Sequence, residues 1–145
     1  MKQMFPRSFK LAVLAVGATL VVLASLPGCA FFGFNGQKVE ILEPANGAVV
    51  GSPFKVRFGL KGMAVAPAGD IVKDSGHHHL LIDQEPVPAG ESVPMTEKHL
   101  HFGKGQTETE LKLPPGVYRL TAQFANGAHQ SYGKPMSDTI TVTVK

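Results

Sequence analysis

All six histidines of this 145-residue chain lie in three short segments, so these residues are the best placed to do chemistry together. The segments are a run of three, a His-Leu-His pair and one residue in a Gly-containing turn, namely His77-His78-His79, His99 with His101, and His129. Imidazole nitrogens are ligands for zinc and copper, and a run of only three at an internal position is not an expression tag. The pattern predicts a transition-metal site.

Backbone alternation decides which of these side chains share a face. In an extended strand, residues i and i+2 point to the same side, roughly 6.5 to 7 Å apart. His77 and His79 are therefore expected on one face and His78 on the other. In the same way, His99 and His101 are expected to share a face.

Two such pairs lying close in space would converge four imidazoles on one ion. We expect the main ligands to be His77, His79, His99 and His101. The full candidate set also includes His129 and His78. Asp83 would share the face of His77 and His79 if the strand continues that far, and it would then orient a ligand imidazole. The alternative is a hydrogen-bonded or exposed set of histidines that holds no metal.

Copper is the first choice of metal and zinc the second. Cys29 is the only cysteine, which excludes a thiolate-rich structural zinc site and any intramolecular disulfide. Met63, Met95 and Met136 lie in loop-like stretches, and a thioether suits Cu(I) while imidazole suits Cu(II). Loop methionines also commonly fill the edge of a core.

The N-terminal region has the pattern of an export signal. Three basic residues precede a 16-residue apolar run, Leu11 to Leu26, and the segment Leu26-Pro27-Gly28-Cys29 resembles the lipobox of bacterial lipoproteins. We expect a signal peptide over residues 1–28, a lipidated tether over 29–37 and membrane anchoring through Cys29 on the periplasmic side of the bacterial envelope. Ala30 after the cysteine favours the outer membrane. The alternatives are an ordinary signal peptide cut elsewhere and an uncleaved anchor.

Charge argues against a nucleic-acid partner. Without the three basic residues of the leader, 11 Lys and Arg stand against 11 Asp and Glu, so the mature chain has no net charge. Its length fits one domain, over residues 38–145.

Short apolar alternations separated by Gly- and Pro-containing turns predict strands. They lie at residues 39–42, 54–58, 111–113, 117–124 and 139–144, and no window shows helical periodicity. Along 117–124, the set that includes Leu120, Ala122 and Phe124 is expected to face the core. This pattern predicts an all-β, antiparallel, immunoglobulin-like sandwich.

The stretches SPFKVRFGLKGMAVAPAG, SGHHHLLID, HLHFGKGQTE and LPPGVYRLTAQFANGAH follow one another in this chain. In that order they resemble an uncharacterised bacterial family of exported domains, a domain of unknown function. The resemblance covers nearly all of residues 39–145. It implies an exported or lipid-anchored single domain and supports treating the six histidines as one set, but it implies no established activity.

Three hypotheses follow from the sequence. The leading one is a lipid-anchored module that binds copper or zinc, and the alternative is an immunoglobulin-like adhesion or assembly module that binds another envelope protein and uses the histidines structurally. An enzyme ranks last, because no substrate is indicated and no nucleophile elbow is present.

Overall fold

The computed structural model describes residues 36–145, and within that range every regular element except one 3₁₀ turn is a strand. The strands are β1 (Lys38–Glu43), β2 (Val49–Val50), β3 (Phe54–Lys61), β4 (Ala64–Val65), β5 (Ser75–Ile82), β6 (His99–His101), β7 (Glu108–Leu111), β8 (Gly116–Ala125) and β9 (Ser137–Val144), and the 3₁₀ turn is Lys134–Met136. Over these residues no helix has the length and apolar character needed to span a membrane. The leader predicted over residues 1–28, Cys29 and most of the 29–37 tether lie outside the described range.

Two sheets form a sandwich-like arrangement. The smaller sheet has the order β1-β3-β7, and the larger has the order β2-β9-β8-β5-β4, with β6 also paired to β5. The prediction of an all-β sandwich is confirmed. Two short pairs, β2 with β9 and β4 with β5, are parallel, so the sheets are not wholly antiparallel.

The predicted alternation is confirmed in the long strands. Phe54, Val56 and Phe58 are buried, as are Leu120, Ala122 and Phe124. Burial of each of these Val, Leu and Phe side chains stabilises the fold by roughly 1.5 to 3 kcal/mol. The strand predicted at 111–113 instead ends at Leu111, and the Leu113 N–H donates to Ser52 Oγ at 3.1 Å.

Strand β5 is buried along its whole length. Its Leu80 and Ile82 face the core between the sheets, while Leu81 packs in a second apolar cluster with Val87 and Val93 from the loop that follows β5. Because this loop covers the outer face of the larger sheet, the outer side of β8 is also shielded from solvent. Strand β5 is therefore enclosed from both sides.

Hydrogen bonds tie the covering loop, residues 83–98, to the sheet and to the segment after β8. The Val87 N–H donates to Gln123 Oε1 at 3.1 Å, and the buried Ser131 hydroxyl donates to the Val87 carbonyl at 2.8 Å. The Val93 N–H donates to the His129 carbonyl at 2.9 Å. These bonds hold the loop and the His129 turn together over one end of β5.

Candidate metal centre

The pairing register of β5 and β6 sets the first part of the candidate site. The two strands are antiparallel, with His79 opposite His101 and Leu81 opposite His99. Alternation places His77 and His79 on the same face, as the sequence predicts. Strand β6 therefore brings His101 beside the two β5 histidines.

A tight turn after β8 supplies the fourth imidazole. Asn126 Oδ1 accepts hydrogen bonds from the Ala128 and Gln130 N–H groups, each at 2.9 Å, which closes the turn. His129 has φ 63°, a left-handed conformation that is uncommon for a residue other than glycine. Backbone strain of this kind clusters at functional sites.

Four imidazoles meet at this point, and we call His77, His79, His101 and His129 the histidine group. Their ring centroids are 4.6 to 6.0 Å apart. Each ring offers a nitrogen such that all four lie within 4.8 Å of one another, and among the described residues no Asp or Glu belongs to the group. Four nitrogens bound tetrahedrally at 2.0 to 2.1 Å from one ion are about 3.3 to 3.4 Å apart, so a pair at the 4.8 Å limit would close by about 1.4 Å on binding.

Most of the buried nitrogens in the group have no hydrogen-bond partner. His77 Nε2 lies 3.3 Å from His129 Nδ1, but His77 Nδ1, both nitrogens of His79 and His101 Nε2 are buried and unpartnered. A buried polar atom left in this state costs about 1 to 3 kcal/mol. Several such atoms in one place point to a ligand that would satisfy them.

Burial favours the neutral form of three of the four imidazoles, those of His77, His79 and His101. Burial, with a smaller contribution from neighbouring histidines, lowers the pKa of His77 to about 4 and that of His79 to about 3. The pKa of His101 is also lowered, first by burial and then by His129. Neutral imidazole is the form that ligates a metal, so these three residues are ready to bind at neutral pH.

The structure does not bring His99 into the histidine group, which differs from the expected ligand set. His99 lies on the same face of β6 as His101. It pairs with Leu81, however, which lies two residues beyond His79, the β5 partner of His101. Its Nδ1 is 2.8 Å from Thr96 Oγ1. Sharing a face with His101 was not sufficient, because the register displaces His99 from the other rings.

His78 and Asp83 also lie away from the group. His78 is on the opposite face of β5, where its ring stacks on Phe58 with centroids 4.9 Å apart. Asp83 follows the end of β5 with φ 55°, and its Oδ1 accepts a hydrogen bond from the Arg119 N–H at 2.8 Å. It does not orient an imidazole, because the strand does not continue to it.

The three methionines considered as copper ligands occupy different environments. Met136 is fully buried in the core and Met63 packs against that core, as the core-filling alternative predicts. Met95 is 72% exposed. Two of these three thioethers therefore pack in or against the core, and only that of Met95 is exposed.

Sequence reasoning missed Gly103. A Cβ added to this residue would lie 2.2 Å from His101 Cε1 and 2.5 Å from its Nε2. Only glycine lets the backbone of residue 103 approach the ring so closely. The short sequence spacing between the two residues does not reveal the contact, because it depends on the rotamer of His101.

A known protein family matches the part of the chain that carries the histidines. A domain of unknown function, DUF4399, matches residues 56–145, a range that includes all six histidines. The chain belongs to this family. The histidine group of this DUF4399 domain thus lies wholly inside the range that the family model matches. The expected membership of an uncharacterised domain family is confirmed.

Other comparisons add little about activity. No curated protein matches this DUF4399 domain significantly. A solved structure, the endo-beta-1,4-mannanase from Thermotoga petrophila, is similar with a TM-score of 0.46 and 12% sequence identity. The similarity covers 79% of this chain and 21% of the mannanase chain, so the domain spans about a fifth of that protein's length.

Proposed function

We propose that this protein binds one transition-metal ion through His77, His79, His101 and His129. The observation that carries the proposal is the convergence of four imidazoles whose ligand nitrogens lie within 4.8 Å of one another. The unpartnered nitrogens of His77, His79 and His101 support it, because an ion would satisfy them. A bound ion would offset the cost of burying these atoms.

Copper is the proposed metal, and zinc is its main competitor. Imidazole suits both ions, and at a given nitrogen site copper binds more tightly than the other divalent metals of its row. The group is made of neutral ligands without a carboxylate among the described residues, so an ion's charge would be buried largely uncompensated. The +1 charge of Cu(I) would cost less to bury there than the +2 charge of Cu(II) or zinc.

The proposed setting is the bacterial envelope. The leader over residues 1–28 and the lipobox-like segment ending at Cys29 support a lipid-anchored protein on the periplasmic side, with the outer membrane favoured. In that setting the domain would store an ion or pass it on outside the cytoplasm.

Metal analysis of the whole chain, purified without a polyhistidine tag, tests the proposal. After loading with copper or zinc and dialysis, we expect about one equivalent of metal per chain, and His79→Asn or His101→Asn should remove most of it. His78→Leu is the matched control. It removes a histidine from the same strand but from the opposite face, so metal content should be retained. Full metal content in both the His79 and the His101 variants would refute the proposal.

The alternative is an envelope adhesion or assembly module in which the histidines form a hydrogen-bonded network. The contact of His77 Nε2 with His129 Nδ1 at 3.3 Å favours it. The unpartnered nitrogens count against it, because a structural network would pair them. It predicts no stoichiometric metal and a protein partner recovered by crosslinking in the envelope.

A further inference from the structure

A surface depression adjoins the histidine group. Its lining residues are Met95, Thr96, Glu97, His99, Leu100 and His101. His101 belongs to both the depression and the group. His77 and His79 are fully buried whereas His101 and His129 are only partly so, and an ion would therefore reach the group from the side of these two residues.

Met95 is the exposed thioether of this depression. It is 72% exposed, in contrast to Met136 in the core and Met63 packed against it. Thioether sulfur is a soft ligand that selects Cu(I). The carboxylate of Glu97, which also lines the depression, adds attraction for a cation.

A short turn fixes His99 against Thr96, and Met95 lines the same depression. The His99 N–H donates to the Thr96 carbonyl at 3.0 Å, and His99 Nδ1 lies 2.8 Å from Thr96 Oγ1. The Thr96 hydroxyl oxygen also accepts from the Lys98 N–H at 3.2 Å, which fixes the turn. With Nδ1 engaged, Nε2 is the ring nitrogen of His99 that a metal ion would take.

We propose that Met95 and His99 form a transient Cu(I) site in this depression, from which the ion passes to His101 and then into the histidine group. This proposal rests on the proposed copper-binding function. The transfer is an exchange of ligands in which the sulfur of Met95 and the nitrogen of His99 are replaced by imidazole nitrogens of the group. Copper stays in the +1 state throughout, so no oxidant or reductant takes part.

Loading kinetics of the whole chain test the route. Under anaerobic, reducing conditions, Cu(I) is supplied as a coloured chelate, and the loss of chelate absorbance gives the loading rate. We expect Met95→Leu and His99→Asn each to load about tenfold more slowly, the factor that corresponds to 1.4 kcal/mol, and to reach the same final copper content. The leucine keeps the apolar volume, and the asparagine keeps a polar atom near the position of Nδ1 for Thr96. Met63→Leu is the matched control and should load at the wild-type rate.

Three kinds of result would contradict the route or the function on which it rests. Wild-type loading rates in both the Met95 and the His99 variants overturn the route while leaving the four-histidine site intact. A lower final copper content in Met95→Leu also overturns it, because Met95 would then be a resident ligand. Failure of the wild-type chain to take up copper refutes copper as the metal of the histidine group and the route with it, and failure to take up either copper or zinc refutes the proposed function itself. Loading with Zn²⁺ should be insensitive to Met95→Leu, since zinc has less preference for a thioether.

Discussion

The ring of His101 packs directly against the backbone of Gly103, with no room for a side chain at residue 103. This contact limits where the ring can lie, and the centroids of the other three imidazoles lie 4.6 to 5.1 Å from that of His101. Gly103 is thus a positioning residue that touches the proposed ligand and not the ion. Its role is comparable to that of the groups that orient metal ligands in other proteins.

Gly103→Ala should weaken metal binding without unfolding the domain. The added methyl group would displace the end of the His101 side chain and move a ligand nitrogen away from the group. We expect a loss of roughly 10- to 100-fold in metal affinity, the range found when groups that support a ligand are altered. A competition titration against a chelator measures it.

Gly51→Ala provides the control for this change. A Cβ at Gly51 would have no heavy atom within 4 Å, and the backbone there is not left-handed. Its affinity should equal that of the wild type. Equal affinities for the Gly103 and Gly51 variants would show that the close contact does not position His101.

Strand β5 carries three histidines and is buried on both faces. Burial is the main cause of the low pKa of His77 and His78, each about 4, and of His79, about 3. In the unfolded chain a histidine has a pKa near 6.5. Between these values the unfolded chain binds more protons than the folded chain does.

Acid should therefore destabilise the metal-free protein. Stability is fully present above about pH 7 and falls as the pH drops from about 6.5 towards 4, because protonation favours the unfolded chain in this window. The urea midpoint measured at a series of pH values in the presence of a chelator checks the expectation. His78→Leu should give a shallower dependence, since it removes one of the three groups. A midpoint that does not change between pH 4 and 7 would contradict this account.

The same strand shows how far sequence reasoning reaches. Alternation correctly separated His78 from His77 and His79, because the side-chain period of a strand follows from local backbone geometry. It could not exclude His99, because that outcome depends on the register between β5 and β6, which places Leu81 and not a histidine opposite His99. The fourth member, His129, was within the candidate set, but its approach depends on a left-handed turn that the sequence pattern does not specify.

The sandwich was predictable from the sequence, whereas the packing of the covering loop was not. Apolar alternation in β3, β8 and β9 predicts one buried face for each strand. The burial of Thr121 and Gln123 on the other face of β8 was not predictable in this way, because it is caused by residues 83–98 folding over the larger sheet. A loop of mixed composition gives no periodic signal of where it will pack.

Ser131 is central to the attachment of this loop. Its buried hydroxyl donates to the Val87 carbonyl and accepts from the Gly133 N–H, each at 2.8 Å. Ser131→Ala should destabilise the protein by about 1 to 3 kcal/mol, because both backbone groups would be left buried and unpaired. Hydrogen exchange should accelerate first in residues 84–93, and urea unfolding gives the free-energy change.

Ser137→Ala is the corresponding control. Its hydroxyl donates to the Lys134 carbonyl at 2.8 Å in an exposed position, where water would replace the lost bond. The stability change should stay within about 0.5 kcal/mol. If the two serine variants were equally stable, the attachment assigned to Ser131 would be wrong.

The sequence positions of the histidine group have a consequence for the chain as a polymer. His77 and His129 stand 52 residues apart, and the group draws on β5, β6 and the turn after β8. A chain with one cysteine has no internal disulfide with which to link such distant segments. A coordinated ion would be a removable crosslink in its place, bound by the native state alone and stabilising it according to the free ion concentration. The mechanical integrity of the domain would then follow the supply of metal around it.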